Sequence, residues 1–143
     1  MGFTQQCFIR KNTPELRKKL EELGYKANTY EYFWDDENRY IITTIGSNGH
    51  VFYTLCIKNC CMLENKEFID CGENEEMFLA LAALRDDKPD YQWFLWEHND
   101  GEYHPEENDS WRQYIPGEHW EEWWWFEVRK ATVEEIIKHF KKD

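Results

Sequence analysis

The clearest hydrophobic period in the chain lies near its beginning. Leu16, Leu20 and Leu23 recur at helical spacing and predict one amphipathic helix. Thr13 stands where a side-chain oxygen caps the first turn, and Gly24 stands where a helix ends in the left-handed conformation. The pattern therefore predicts a helix with a defined cap at each end.

Two further helices are predicted by apolar stripes that follow polar first turns. One runs from about Asn74 to Leu84, and acidic residues in its first turn complement the helix dipole. The other follows Thr132, which forms a capping box with Glu135, and its apolar face extends to Phe140. Both predictions depend on the acidic or capping residues at the helix start and not only on the length of the apolar stripe.

Segments rich in β-branched and aromatic residues predict the strands. They are residues 5–10, 29–34, 39–45, 50–57, 67–71, 91–96 and 119–129. The polar stretch 97–110 predicts a long loop. This order predicts an α+β fold in a single domain over residues 1–143. We expect an antiparallel or mixed sheet of about six to seven strands, with three helices packed mainly on one face.

The net charge of −12 is distributed unevenly. Residues 1–63 carry eight basic and seven acidic side chains, whereas residues 64–143 carry nine and twenty-two. The stretch 97–127 has ten acids and one base, Arg112. A protein that binds nucleic acid directly needs a basic surface, and the sequence offers none. Direct nucleic-acid binding is therefore excluded. A partner protein with a basic surface fits the charge better, and plain solubility is the alternative explanation.

Hydropathy and the N-terminal residues bear on the compartment. No apolar run approaches the roughly 20 residues that span a bilayer, so no membrane association is predicted. The first residues lack a basic patch followed by an apolar stretch, which predicts no secretory signal. We therefore expect a cytoplasmic protein.

The five cysteines are Cys7, Cys56, Cys60, Cys61 and Cys71. In a reducing compartment an odd, irregularly spaced set does not predict a disulfide framework. Only Cys56 and Cys60 have the paired spacing of a structural zinc site. The cysteines are therefore expected to be thiols, and no cofactor is predicted.

Four of the eight tryptophans fall in the last predicted strand. The period of two along a strand places Trp123 and Trp125 on the same face as the charged residues Glu121 and Glu127. Partly exposed aromatic residues are frequent hot spots of protein interfaces. Together with Trp111, these four residues are the predicted binding surface. The alternative is that all the tryptophans belong to the core.

The histidines His98, His104 and His119 lie among acidic residues and are the candidate metal ligands. No motif of fixed geometry, such as H-E-x-x-H, accompanies them. Loop histidines among acids are commonly solvated, so no metal is predicted. Phosphate-binding glycine motifs and the G-x-S-x-G motif are also missing. Catalytic residues are left undefined, and a non-enzymatic role is favoured.

Residues 8–16 with 20–25, and 67–72 with 78–87, together with 131–140, are similar to short uncharacterised proteins of gut Bacteroidetes and their phages. The resemblance implies a bacterial or phage origin and an accessory role. It implies no activity and no site residue. The cytoplasm would then be that of a bacterial cell or of a phage-infected host.

Three functional hypotheses follow. The first is a non-enzymatic acidic protein-binding module, such as a phage accessory protein that acts on a basic host partner. The second is a small metal-dependent or other enzyme that uses the histidine- and carboxylate-rich region 97–119. The third is a structural or packaged phage component. The sequence leaves the oligomeric state open.

Overall fold

The structure is a computed structural model, and it describes residues 3–27, 39–43, 51–56, 68–86, 89–117 and 128–141. Within these ranges the fold is α+β, with three α-helices and eight strands. The helices are α1 (Pro14–Leu23), α2 (Glu75–Ala82) and α3 (Val133–Phe140), at the three predicted places. In this part of the chain, no helix is long and apolar enough to cross a membrane.

The first sheet has five strands in the order β2-β4-β3-β1-β5. Its strands are β1 (Cys7–Ile9), β2 (Lys26–Ala27), β3 (Arg39–Thr43), β4 (Val51–Cys56) and β5 (Ile69–Asp70). The β1–β3 and β3–β4 pairs are antiparallel, whereas β1–β5 and β2–β4 are parallel. The sheet is therefore mixed. The predicted strand at 29–34 lies outside the described residues.

The second sheet has three antiparallel strands in the order β7-β6-β8. They are β6 (Trp93–Trp96), β7 (Trp111–Gln113) and β8 (Val128–Lys130). The expectation of one sheet is thus corrected to two sheets over the described ranges. Both edges of β6 are hydrogen-bonded, to β7 and to β8, and which strands pair depends on contacts between distant residues that the alternation of apolar and polar positions does not specify.

The caps of α1 are those that the sequence predicted. Oγ1 of Thr13 accepts a hydrogen bond from the backbone N–H of Leu16 at 3.2 Å. At the other end Gly24 has a φ of 115° and donates to the carbonyl of Glu21, while Tyr25 donates to the carbonyl of Leu20. This is the Schellman arrangement, in which orphan carbonyls of the last turn gain donors.

The caps of α2 and α3 are connected. Oδ1 of Asn74 accepts from the N–H of Met77 at 3.0 Å, and its Nδ2 donates to the carbonyl of Phe140 at 2.6 Å. One side chain therefore caps the start of α2 and satisfies the end of α3. Thr132 and Glu135 form the predicted capping box of α3.

A single cluster of buried apolar side chains draws on strands of both sheets and on all three helices. Cys7, Leu16, Leu81, Leu95 and Ile136 are fully buried members of it, and they come from β1, α1, α2, β6 and α3 in turn. The helix α2 contacts α1, α3 and β1. Its small residues, which include Ala80 and Ala82, allow these close approaches.

Arg85 is a charged residue inside this core, with 6% of its surface exposed. Its Nη1 donates to the carbonyl of Leu23 at 3.1 Å, and its guanidinium lies 4.4 Å from the ring centroid of Phe3. The backbone carbonyl of Arg85 accepts from Nε2 of Gln92 and Nζ of Lys130. Arg85 thus connects the end of α1 to the second sheet.

Replacing Arg85 by Met is expected to reduce the free energy of unfolding by about 2–3 kcal/mol. The variant loses a charge-assisted hydrogen bond and leaves the carbonyl of Leu23 buried without that donor. Chemical denaturation measures the change. The control is Lys18→Met on the exposed face of α1, which should change stability by less than about 0.5 kcal/mol. Equal effects of the two substitutions would contradict the structural role of Arg85.

The ion pair between Arg129 and Glu135 predicts a defined dependence of stability on pH. Both guanidinium Nη atoms donate to the carboxylate at 2.8 Å, and this interaction lowers the pKa of Glu135 from 4.5 to about 2. Because the folded-state pKa is depressed, the stabilisation is complete above pH 4.5 and is lost as the pH falls through about 2. Glu135→Gln removes it at every pH.

The free energy of unfolding should therefore be compared between wild type and Glu135→Gln across this pH window. We expect the difference to be largest at neutral pH and to shrink below pH 4.5. Glu134→Gln removes the same charge from the exposed neighbouring position and should have the smaller effect. If the difference in free energy of unfolding stays constant down to pH 2, the ion pair is not the source of the stabilisation.

Candidate functional site

The histidine- and carboxylate-rich segment 97–110 connects β6 to β7 and begins with a tight hairpin. Glu97 forms an isolated antiparallel bridge with Tyr103, and the N–H of His98 donates to the carbonyl of Glu102 at 2.8 Å. Gly101 closes the turn with a φ of 80°, a conformation that favours glycine. The predicted loop is therefore an ordered hairpin in its first half.

The second half of the segment returns to β7 through a 3-10 helix, Asn108–Ser110. The N–H of Glu107 donates to the carbonyl of His104, and the N–H of Ser110 donates to the carbonyl of Glu107. These turns bring the end of the segment back beside the hairpin. Ser110, at 1% exposure, is buried where the segment joins β7.

Trp111, which the sequence assigned to the binding surface, is only 4% exposed. Its indole stacks on the ring of His139 at 4.0 Å between centroids, and it meets Trp93 and Phe140 edge to face. Its Nε1 donates to the carbonyl of Pro105 at 2.9 Å. The ring is not available to a partner in this conformation, and it anchors the segment to the core.

His98 has a buried hydroxyl and two carboxylates close to its ring. Its Nε2 forms a short hydrogen bond with Oγ of Ser110. One ligand atom from each of His98, Glu107 and Asp109 lies within 4.8 Å of the other two. The half-buried imidazole and the two exposed acids form the first of two histidine–carboxylate clusters.

His104 is the centre of the second cluster. Its Nε2 lies 2.7 Å from Oδ2 of Asp100, and its Nδ1 lies 3.3 Å from Oε1 of Glu106. The bond to Asp100 and, after it, that to Glu106 raise the pKa of His104, and the bond from His104 lowers the pKa of Asp100. Ligand atoms of Asp100, Glu102 and His104 all lie within 4.8 Å of one another.

The two clusters adjoin one another. The rings of His98 and His104 are 4.6 Å apart between centroids and meet at 75°. Arg112, the one base of residues 97–127, lies over the ring of Trp96 at 4.6 Å and donates to the carbonyl of Trp111. The segment therefore presents concentrated negative charge around two imidazoles.

A cleft of about 380 Å³ separates this segment from α3. Its lining residues are Pro105, Glu106, Asn108, Glu135, Lys138 and His139. Burial lowers the pKa of His139, which favours the neutral imidazole that stacks on Trp111. The cleft thus has side chains of both charge signs at its edge.

The remaining predicted site residues lie outside the described ranges. They are Trp123, Trp125, Glu121, Glu127 and His119. The tryptophan-centred surface and the participation of the third histidine stay predictions.

Two of the cysteines are close neighbours in the core. Cys7 and Cys71 are both buried, and Sγ of Cys7 lies 3.2 Å from Oγ1 of Thr43. A hydrogen bond with Cys7, together with burial, raises the pKa of the Cys71 thiol. Both are therefore core thiols. Cys60 and Cys61 lie outside the described residues, and Cys56 pairs through its backbone with Arg39.

The residues that accompany each histidine were not predicted from the sequence. They are Ser110 beside His98, and Asp100 and Glu106 beside His104. The run Asn99-Asp100-Gly101 fits a three-residue hairpin loop with glycine in the left-handed position, and such a loop brings His98 and Glu102 opposite each other. No local signal predicts the contact between His98 and Ser110, because it depends on the path of the whole segment.

Comparisons with protein-family models, with curated proteins and with solved structures each find no significant match to this chain. The geometry and charge of the 97–110 segment are therefore the observations that bear on function.

Proposed function

We propose that this protein is a non-enzymatic acidic binding module whose 97–110 segment contacts a basic surface of another protein. One observation carries the proposal: this ordered segment has no Lys or Arg and exposes five carboxylates, those of Asp100, Glu102, Glu106, Glu107 and Asp109.

Electrostatics explains why such a segment favours a cationic partner. Carboxylates fixed near one another repel, and a basic surface relieves this repulsion while it is attracted to all of them. Complementary charge also steers the encounter and speeds association. The backbone hydrogen bonds of the hairpin and the anchor at Trp111 order the segment beforehand, which lowers the entropy cost of binding.

The biological setting that we propose is an accessory protein of a bacterium or phage that acts on a basic host protein. The resemblance of residues 8–16, 20–25, 67–72, 78–87 and 131–140 to short proteins of gut Bacteroidetes and their phages supports this setting. The charge of the 97–110 segment supports a basic target.

Removing three of the six negative charges of the 97–110 segment should abolish binding without unfolding the protein. In the variant Glu102→Gln, Glu106→Gln and Glu107→Gln, three exposed charges are removed, so the net charge of −12 becomes −9. Tagged wild type should capture a stoichiometric partner from lysate of its source cell at low salt and lose it at high salt. The triple variant should lose it at low salt as well. Chelator is present throughout.

The matched control removes three exposed charges from α1, in Glu15→Gln, Glu21→Gln and Glu22→Gln. It has the same net charge as the first variant and should retain the partner. If both variants lose the partner equally, the net charge of the protein explains the binding, and the 97–110 segment has no special role. If the 97–110 variant keeps it, the segment is not the contact surface. Recovery of the protein's own chain as the main partner would favour a structural component.

The tryptophans supply a second, independent test. Alanine at both Trp123 and Trp125 is expected to weaken capture of the partner by at least about tenfold, because aromatic hot-spot residues each contribute more than about 1 kcal/mol. Thermal unfolding of the same variant should change little by comparison. A loss of stability that accounts for the loss of binding would assign these tryptophans to the core.

A further inference from the structure

We propose that the 97–110 segment also binds a first-row divalent transition-metal ion through its two histidine–carboxylate clusters. This inference does not depend on the protein-binding function. One ligand set is His98, Glu107 and Asp109, and the adjoining set is Asp100, Glu102 and His104.

The ligand atoms of each set lie near the spacing from one another that binding to a shared ion requires. Metal–ligand distances of about 2.0–2.2 Å in a tetrahedral site place neighbouring ligand atoms about 3.4 Å apart. In each cluster all three ligand atoms lie within 4.8 Å of one another. The four carboxylates are exposed on rotatable side chains, so they can close around an ion without backbone movement.

The environment of His98 resembles that of a ligand histidine. The Oγ of Ser110, which is 1% exposed, holds Nε2 of this ring. The bond fixes the ring orientation and leaves Nδ1 as the nitrogen that it does not occupy. A non-ligand partner on the other ring nitrogen is what metal-binding histidines generally have.

His104 has the same two-sided arrangement. Its Nδ1 faces Glu106, a residue outside both ligand sets, whereas its Nε2 faces Asp100 inside its own set. A metal ion that replaces the proton between Nε2 and Oδ2 of Asp100 would leave the bond to Glu106 in place. Glu106 is therefore a positioning residue, comparable to the carboxylate that orients a zinc-bound histidine.

The presence of imidazole decides the class of metal. Carboxylates alone favour Ca²⁺ and Mg²⁺, whereas imidazole nitrogen favours Zn²⁺ and other first-row transition metals. Each cluster combines one imidazole with two carboxylates, and the two imidazoles are 4.6 Å apart. A plain acidic surface would bind Ca²⁺ and Zn²⁺ with similar weakness and would not respond to loss of a histidine.

The test is titration of chelator-stripped, full-length protein with Zn²⁺, with Mn²⁺ and, for comparison, with Ca²⁺, monitored by calorimetry and native mass spectrometry. We expect saturable, stoichiometric binding that weakens as the pH falls, because imidazole must lose its proton to bind the ion. His98→Gln with His104→Gln should weaken Zn²⁺ binding by about 100-fold or more. Glu106→Gln should weaken it by about 10–100-fold, the range for outer-shell partners.

The α1 variant Glu15→Gln, Glu21→Gln, Glu22→Gln is the matched control and should bind Zn²⁺ as the wild type does. Thermal unfolding in chelator shows whether each variant is folded. Zn²⁺ binding that survives the double histidine substitution would place the ion elsewhere and overturn the proposal. Absence of Zn²⁺ and Mn²⁺ binding, or equal affinity for Ca²⁺, would also overturn it. None of these outcomes bears on partner capture, which is measured in chelator.

Discussion

The buried side chain of Arg85 and the backbone carbonyl of the same residue together link the end of α1 to the second sheet. A buried charge is tolerated only where hydrogen bonds compensate for lost hydration. Arg85 meets this requirement at the end of α1, where the carbonyl of Leu23 accepts from it and where a helix C-terminus favours positive charge. Gly24 makes room, since a Cβ there would lie 3.2 Å from Nη1 of Arg85. The carbonyl of Arg85 accepts hydrogen bonds from the side chains of Gln92, just before β6, and of Lys130 in β8.

The position of the 97–110 segment follows from this junction. Gln92 immediately precedes β6, and β6 and β7 carry the two ends of the segment. Trp111 joins the segment to α3. Its ring stacks on His139 of α3, and its indole N–H donates to the carbonyl of Pro105 within the segment. The backbone of a strongly acidic segment is thus held in place, so its exposed carboxylates stay near one another although their side chains can rotate.

A basic protein surface and a metal ion would each relieve the repulsion between these carboxylates. A basic protein surface contacts many carboxylates weakly, and a metal ion contacts a few carboxylates and an imidazole closely. A bound dication would reduce the negative charge that a basic partner meets, so the two ligands are expected to oppose each other. His104, whose pKa is raised by Asp100 and Glu106, already supplies part of the same compensation as a proton.

The sequence by itself determined the three helices and the negative charge of residues 97–110, because caps such as Thr13 and Thr132 act within one turn and charge needs no folding. It did not determine that the strands form two sheets, that Trp111 is buried, or that Ser110 meets His98. A hydrophobic pattern shows that a face is covered but not which distant residues cover it. Those pairings depend on contacts between residues far apart in the chain, so only the tertiary structure decided them.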